Sequence, residues 1–341
     1  MLTPTSVPVL QTATHVAFDA ATADRLLQIG ATNVVRASDR LIIGPNRRDP
    51  EEHARVRLAW WRSSQTWDQL YSLDVHWNLP VVLWVSASIH ERVNLWRTCS
   101  WLRHLGIAYP DVLIPEFGTG TRSSRPREPE PSFECNASVA DHSNEFPSER
   151  LNQPRPWPRA RYDRAIDLWD RYVDVNPLRF ARTCTRGLKG FPELAALWTF
   201  LSNFFPRRSA EGALRLSRFD ELLLTVLSRE WATPVSLFVH RSQPGEALRQ
   251  LLYCTGDWFL PRRLDQWVDH DQSAVVERSA GSMPSSPMNA FVYRITERGM
   301  RLRAGEIGQL SEAPSLPVAG TEAYTPSAPW VLLEDGRLIC S

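Results

Sequence analysis

The fold is decided by four short apolar runs in the first third of the sequence: His15-Val-Ala-Phe18, Asn33-Val-Val35, Val81-Val-Leu-Trp-Val85 and Asp111-Val-Leu-Ile114. Each run is followed within a few residues by a polar side chain, and helix-like stretches separate the runs. This alternation is typical of a parallel sheet with crossover helices. The sequence therefore predicts an N-terminal α/β domain over residues 14–117, with a mainly parallel four-stranded sheet.

The stretches between these runs carry clear helix signals. Asp49-Pro50-Glu51-Glu52 combines a capping residue, a proline suited to the first turn and two acidic residues that complement the helix dipole. The stretch from Ile89 to Leu105 is apolar on most faces and predicts a well-buried crossover helix. Several of the 14 tryptophans fall inside such patterns, and we expect core positions for Trp60, Trp67, Trp96 and Trp101.

Bulk composition excludes several classes of protein. The 341-residue chain has a formal net charge of +1, so any affinity for nucleic acid must come from a local patch. Its five cysteines are scattered without C-x-x-C spacing, which predicts neither a zinc site nor a disulfide framework. No apolar run approaches the roughly 18 residues of a membrane span, and no basic region followed by an apolar core opens the chain. We therefore expect no membrane contact and a cytoplasmic location.

Composition divides the rest of the chain into three parts. Residues 118–158 are rich in Pro, Ser, Arg and Glu and predict a flexible linker. Residues 159–300 predict a helical domain, and residues 301–341 a small strand-rich tail. Within the helical domain we expect three helices and a hairpin in this order: Ser217–Leu227, Thr233–Phe238, Asp257–Trp267, then Ala274–Glu277 with Phe291–Thr296. Such an order is typical of the winged variant of the helix-turn-helix.

Two parts of the chain resemble known bacterial families. The N-terminal part resembles the family called domain of unknown function 1835 in three stretches: His15-Val-Ala-Phe-Asp19, Ser38-Asp-Arg-Leu-Ile-Ile-Gly-Pro45 and Arg57-Leu-Ala-Trp-Trp61. The C-terminal part resembles the family called domain of unknown function 3658, which often follows the first family, in two stretches: Leu216-Ser-Arg-Phe-Asp220 and Thr255-Gly-Asp-Trp-Phe-Leu-Pro-Arg-Arg-Leu-Asp-Gln-Trp267. The first family usually has Gly before its first Asp and Ser after it, where this chain has Phe18 and Ala20. The resemblance implies this two-part architecture and no established activity.

The common cofactor motifs are missing. The turn after the first strand, Phe18-Asp-Ala-Ala-Thr-Ala-Asp24, has no glycine that would let the backbone approach a pyrophosphate, so a dinucleotide is not expected there. The sequence has no G-x-x-x-x-G-K-[ST] run, no G-x-S-x-G elbow and no H-E-x-x-H pair. The sequence therefore identifies no cofactor.

Three carboxylates follow separate strands of the predicted sheet: Asp19, Asp39 and Glu116. Because ligands bind beyond the carboxyl ends of such strands, they are candidate catalytic residues that act as general acid and base or hold a divalent ion. The alternative is that the aspartates cap the helices or turns after their strands. His15, inside the first strand, is expected to be a buried structural residue.

Basic and hydroxyl side chains near the same strands suggest a ligand. Arg57 is a candidate anion clamp, with Arg40 and Ser86 as further ligand-binding residues. The ligand would be small and anionic, for example a phosphorylated metabolite. Equally, the arginines could form a solvated surface offset by neighbouring acidic residues.

The expected third helix of the winged-helix-like unit offers a second candidate surface. Leu260, Leu264 and Trp267 share one face and are expected in the core. The other side would carry Arg262, Arg263 and Gln266, which can contact nucleic acid or a protein partner. A scaffold role is the alternative, since several aspartates flank them. The sequence leaves open whether the protein is an enzyme acting on a small anionic ligand or a regulatory or interaction protein.

Overall fold

The computed structural model describes residues 9–61, 68–72, 74–116, 139, 157–269, 274–283, 286, 288–307, 313–324 and 330–340. Contacts between backbone positions divide the chain into two compact units. The first comprises residues 1–41, 45–174 and 187–196, and the second comprises residues 42–44, 175–186 and 197–341. Most of the predicted linker, 118–138 and 140–156, and Trp67 lie outside the described residues.

The first unit is built on a four-stranded parallel sheet. Its strands are β1 (Thr14–Ala17), β2 (Val34–Arg36), β3 (Val81–Trp84) and β4 (Val112–Leu113). They lie in the order β2-β1-β3-β4, and every neighbouring pair is parallel. The predicted α/β fold class is confirmed.

Helices cover both faces of this sheet. The helices of the first unit include α1 (Val9–Thr12), α2 (Ala20–Gln28), α3 (Pro50–Trp61), α4 (Ile89–His104) and α5 (Arg159–Tyr172). Right-handed crossovers in this strand order place α2 on one face and α3 and α4 on the other. Accordingly, Ala23 and Leu26 of α2 pack with Ala17 and Trp84, which project from one face of the sheet.

α4 is buried along most of its length because other elements enclose it. Its first turn reaches β1, since the His90 ring contacts the Phe18 carbonyl, and its middle packs against α5. The Tyr162 hydroxyl donates to the Cys99 carbonyl, and the Trp96 ring meets Tyr172 edge-on. The sequence predicts α5 as part of the C-terminal domain that begins at residue 159, but in the structure this helix belongs to the first unit.

The second unit is largely helical and ends in a small strand-rich tail. Its helices are α6 (Leu178–Arg186), the end of α7 (Glu193–Leu201), α8 (Arg218–Val226), α9 (Pro234–Phe238), α10 (Gln243–Thr255), α11 (Phe259–Asp269) and α12 (Glu297–Arg303). Its strands are β5 (Arg207–Arg208), β6 (Leu214–Arg215), β7 (Val276–Ala280), β8 (Phe291–Ile295), β9 (Pro317–Val318), β10 (Thr321–Glu322), β11 (Trp330–Leu332) and β12 (Leu338–Cys340). The strands form a sheet in the order β12-β11-β5-β6 and two antiparallel pairs, β7–β8 and β9–β10.

One helix of this unit interrupts the order expected from the sequence. α10 lies between the second and third expected helices, so these two are not consecutive. Its start, Ser242-Gln-Pro-Gly, has the composition of a turn. In the structure, however, Ser242 caps the helix by accepting a hydrogen bond from the Gly245 N–H, and the proline occupies the first turn, where its missing N–H costs nothing.

The tryptophans behave largely as core anchors, as expected. Trp96, Trp169 and Trp267 are fully buried, and Trp60 and Trp101 retain less than a tenth of their surface. None of the described helices is both long and apolar enough to cross a lipid bilayer.

Candidate functional site

The carboxyl ends of the parallel strands mark the most informative edge of the first unit. β1 lies between β2 and β3, so the chain leaves β1 toward β2 and later continues on the other side of β1 with β3 and β4. In open α/β sheets ligands bind where the strand order reverses in this way. We call the gap between the ends of β1 and β3 the switch point.

A buried carboxyl group lies at the switch point. Glu91, in the first turn of α4, is 1% exposed, and its Oε2 accepts a 2.6 Å hydrogen bond from the Ser86 backbone N–H. Burial raises the pKa of Glu91 to about 8, and the charge of Asp19 adds to this, while Ser86 and the Val139 backbone oppose it. The carboxyl group is therefore protonated at neutral pH and can donate a proton.

Asp19 follows β1 and caps the next helix. Its Oδ1 accepts a 2.8 Å hydrogen bond from the Thr22 N–H, and its Oδ2 accepts one from the Thr22 hydroxyl. The side chain is half-buried, and its charge is close enough to Glu91 to influence that carboxyl group. Asp19 and Glu91 thus form a pair of carboxyl groups with different environments, one half-buried and one buried.

The residue next to Glu91 ties α4 to the end of β1. The His90 Nε2–H donates to the Phe18 carbonyl over 3.0 Å, and the Asn94 side-chain amide lies 3.3 Å from Nδ1. Burial lowers the pKa of His90 well below its usual value, and the positive charge of Arg40 adds to this. His90 is therefore neutral. Because the charge of Arg40 acts on the His90 ring, Arg40 lies near the first turn of α4.

Asp39 and Arg57, candidate catalyst and candidate anion clamp, neutralise each other inside the first unit. Arg57 is fully buried and donates two hydrogen bonds to the Asp39 carboxylate, at 2.5 and 2.7 Å. Trp61 and Tyr71 donate to the same carboxylate. Burial alone would raise the pKa of Asp39, but the Arg57 guanidinium holds it well below its usual range. Arg57 is thus committed to an internal ion pair rather than presented to a ligand.

A second buried ion pair extends this network. Arg97 of α4 donates to the Asp68 carboxylate over 2.6 Å and to the Tyr71 hydroxyl over 3.1 Å. Both Arg97 and Asp68 are almost completely inaccessible to solvent. The Asp39 backbone N–H donates to Asp68, so the two pairs hold the loop after β2 against α4.

Glu116 lies beyond the end of β4 and has two arginine partners. Its carboxylate accepts hydrogen bonds from Arg92 at 2.6 Å and from both terminal nitrogens of Arg161, at 2.6 and 2.8 Å. Trp157 also donates to it. Burial would raise the pKa of Glu116, but the two arginines lower it. Glu116 is therefore an ionised group that binds α4 to α5.

The other predicted ligand residues stay near the switch point. Ser86 is fully buried, and its hydroxyl accepts a hydrogen bond from the Ser88 N–H over 3.0 Å. Arg40 is half-buried. Ser88 precedes the first residue of α4 but does not cap the helix with its side chain. Of the predicted site residues, the structure thus associates Asp19, Arg40 and Ser86 with the first turn of α4.

In the second unit, the sequence predicts Arg263 on the outer side of α11, but this prediction is wrong. Arg263 is fully buried and donates to both oxygens of Asp220, at 2.8 and 2.9 Å. Gln266 accepts a hydrogen bond from Arg263, whereas Arg262 is half-buried. The expected core residues of this helix are confirmed, since Leu260, Leu264 and Trp267 are fully buried. Because Asp220 comes from α8, the buried pair joins two helices and cannot contact a nucleic acid.

An open cleft of about 820 Å³ lies at the opposite end of α4 from Glu91. Its lining includes Arg103 and His104, together with two internal ion pairs, Arg47–Glu52 and Arg48–Asp170. Because four of its charged side chains already pair with each other, the cleft is a weaker candidate for a ligand site than the switch point. Within the described ranges, no group of three His, Cys, Asp or Glu side chains is arranged to hold a metal ion.

No family model matches the sequence, and no curated protein is significantly similar to it. The resemblance to the two bacterial families therefore stays a prediction.

Glu91, which lies at the centre of the site, is not among the residues predicted from the sequence. Neither are the buried partners Asp68 and Arg97. A signal was present, because a helix predicted to be buried on most faces contains charged residues that burial would force to find partners. Sequence alone could not say which strand end or loop supplies those partners.

Proposed function

We propose that the first unit binds a small anionic ligand at the switch point and that Glu91 acts there as a proton donor. The observation that carries this proposal is the buried Glu91 carboxyl group, held by the Ser86 N–H in the first turn of α4. Since it is neutral at pH 7, it does not repel an anion, and it can donate a hydrogen bond or a proton.

Three features favour an anion over a neutral ligand. The first backbone N–H groups of an α-helix have no partner within the helix, and the helix dipole is positive at this end. Arg40 adds a positive side chain near the same turn. Helix N-termini beside parallel strands commonly bind phosphate groups in this way. Asp19, half-buried beside Glu91, is the partner that would accept a proton if the bound ligand reacts.

The proposal is tested with sulfate, whose charge is constant over the pH range of interest, and with a set of phosphorylated metabolites. We expect calorimetry to detect binding at pH 7 and Arg40→Ala to weaken it about tenfold, the value of one charge-assisted hydrogen bond. Arg55→Ala, which removes an exposed arginine from α3, is the matched control and should bind normally. Equal affinities of the wild type and Arg40→Ala would refute the site.

The role of Glu91 predicts a specific pH dependence of anion binding. Below pH 8 the carboxyl group is neutral, and above pH 8 its negative charge opposes the anion. The affinity of the wild type for sulfate should therefore fall as pH rises through about 8, whereas Glu91→Gln should bind with an unchanged affinity across that range. A parallel fall in both proteins would exclude Glu91 while leaving the anion site intact.

As a second candidate function, we propose that the second unit is a winged-helix-like module that binds nucleic acid or a protein partner. The β7–β8 hairpin supports this proposal. An antiparallel bridge also joins Tyr293 of β8 to Ala232, which lies in the segment between α8 and α9. With Arg263 buried, Arg262 and Gln266 remain as the half-exposed polar residues of the predicted contact surface. Loss of duplex DNA binding in Arg262→Ala would support this role, and unchanged binding would exclude this helix as the contact.

A further inference from the structure

The exposed side of α6 carries three arginines, Arg179, Arg182 and Arg186, which we call the arginine face. In a helix these positions point within about 60° of one another, and they rise by about 4.5 and 6 Å along the axis. The opposite side of the helix buries Phe180, a residue of the core. α6 is therefore an amphipathic helix with a strongly basic outer side.

The arginine face has no counter-charge in the described part of the chain. α6 contains no acidic residue in its first turn, and none of its three arginines forms an ion pair with a described carboxylate. Many other exposed arginines do, for example Arg229 with Glu297 and Arg337 with Asp335. The charge of α6 is thus available to a partner.

This arrangement is unfavourable for the helix itself. Arg179 lies in the first turn, where the positive end of the helix dipole opposes a cation. Arg182 is three residues from Arg179 and four from Arg186, the spacings at which like charges repel on a helix. The charge of this pattern therefore destabilises the helix except at Arg186, in the last turn. A partner that supplies negative charge would reduce the repulsion between the arginines and the unfavourable interaction of Arg179 with the helix dipole.

We propose that the arginine face of α6 binds the phosphate backbone of a nucleic acid without regard to sequence. Guanidinium groups match phosphate oxygens with two parallel hydrogen bonds, and the spacing lets each arginine reach a different phosphate. A membrane fits less well, because the apolar side of α6, with Phe180 and Cys184, is buried in the protein and cannot enter a bilayer. The inference is independent of the ligand site at α4 and of the contact surface proposed on α11.

The test measures binding of a short labelled DNA duplex to the full-length protein by fluorescence anisotropy at several salt concentrations. Three phosphate contacts predict a slope of about −2.7 for log K against log salt, which is about 40-fold weaker binding for a fourfold rise in salt. The variant Arg179→Ala, Arg182→Ala, Arg186→Ala should lose this slope and most of the affinity. Because these side chains are exposed, circular dichroism should show an unchanged fold.

The control variant removes the same charge from exposed arginines that are paired with carboxylates: Arg159→Ala, Arg229→Ala and Arg337→Ala. It should keep the slope of the wild type. The inference is wrong if the wild type shows no salt-dependent binding or if the control loses as much as the α6 variant. Equal, arginine-dependent binding of polyglutamate or of phosphatidylserine vesicles would also overturn it. Loss of binding in Arg262→Ala but not in the α6 variant would assign the contact to α11 instead.

Discussion

At the scale of single residues, the same side-chain type takes opposite roles according to its surroundings. Asp39 and Asp19 both follow strands of one sheet, yet Asp39 is sealed in an ion pair while Asp19 is half-buried beside Glu91. The sequence predicts both aspartates near the carboxyl ends of the strands but does not distinguish their surroundings. The deciding partner of Asp39, Arg57, lies 18 residues away on α3.

The ion pair of Asp39 and Arg57 yields a prediction about stability. Arg57→Met leaves a buried carboxylate without its counter-charge and should reduce the free energy of unfolding by about 3–5 kcal/mol. Urea denaturation measures this loss. The double variant Asp39→Asn, Arg57→Met should cost less than the sum of the two single variants, because each single variant leaves a buried charge alone and the double variant leaves none.

The matched control for this prediction is an exposed pair. Arg337→Met breaks a pair with Asp335 at the surface and should change the free energy of unfolding by less than about 1 kcal/mol. If Arg57→Met were equally mild, the buried pair would be unimportant for stability.

At the scale of helices and strands, the signals in the sequence were strongest where one local rule acts. The Asp49 cap is present, since its side chain accepts from the Glu52 N–H over 2.8 Å, and the predicted hairpin pairs β7 with β8. α10 was not predicted, because Pro and Gly near its start obscure its helical pattern. Gly245 of this helix lies close against the His240 carbonyl group, an approach that helix propensities do not predict.

That contact makes a prediction with an unusual sign. Alanine in place of a helical glycine normally stabilises a helix by about 1 kcal/mol. A Cβ at Gly245 would lie 2.5 Å from the His240 carbonyl oxygen, which belongs to the backbone and cannot turn away. Gly245→Ala should therefore destabilise the protein by about 1–3 kcal/mol in urea denaturation. Gln243→Ala, an exposed change in the same turn, should stay within about 0.5 kcal/mol.

At the scale of the whole molecule, buried titratable groups make the stability of the protein depend on pH. Arg57 and Arg263 hold the pKa values of Asp39 and Asp220 below the usual range despite burial, and burial lowers the pKa of His53 and His90. In each case the unfolded chain binds a proton at a higher pH than the folded protein does. Stability from these groups is therefore present at neutral pH and lost in acid.

This sign predicts the acid response of the protein. The histidines should begin to cost stability below about pH 6.5 and the aspartates below about pH 4, each by about 1.4 kcal/mol per pH unit at most. The free energy of unfolding, measured in urea at successive pH values, should therefore fall steeply between pH 4 and 3. A flat profile over that interval would contradict the buried ion pairs described above.

The sequence by itself determined the parallel α/β sheet, its strand ends and the buried character of α4, because hydrophobic periodicity and helix caps act over a few residues. Only the tertiary structure decided which charged groups pair, since Arg57 and Arg263 find their carboxylates on other elements. It also decided that Glu91 lies buried at the switch point and that the arginines of α6 face outward. Burial and charge pairing depend on distant parts of the chain, and those distances are set by packing.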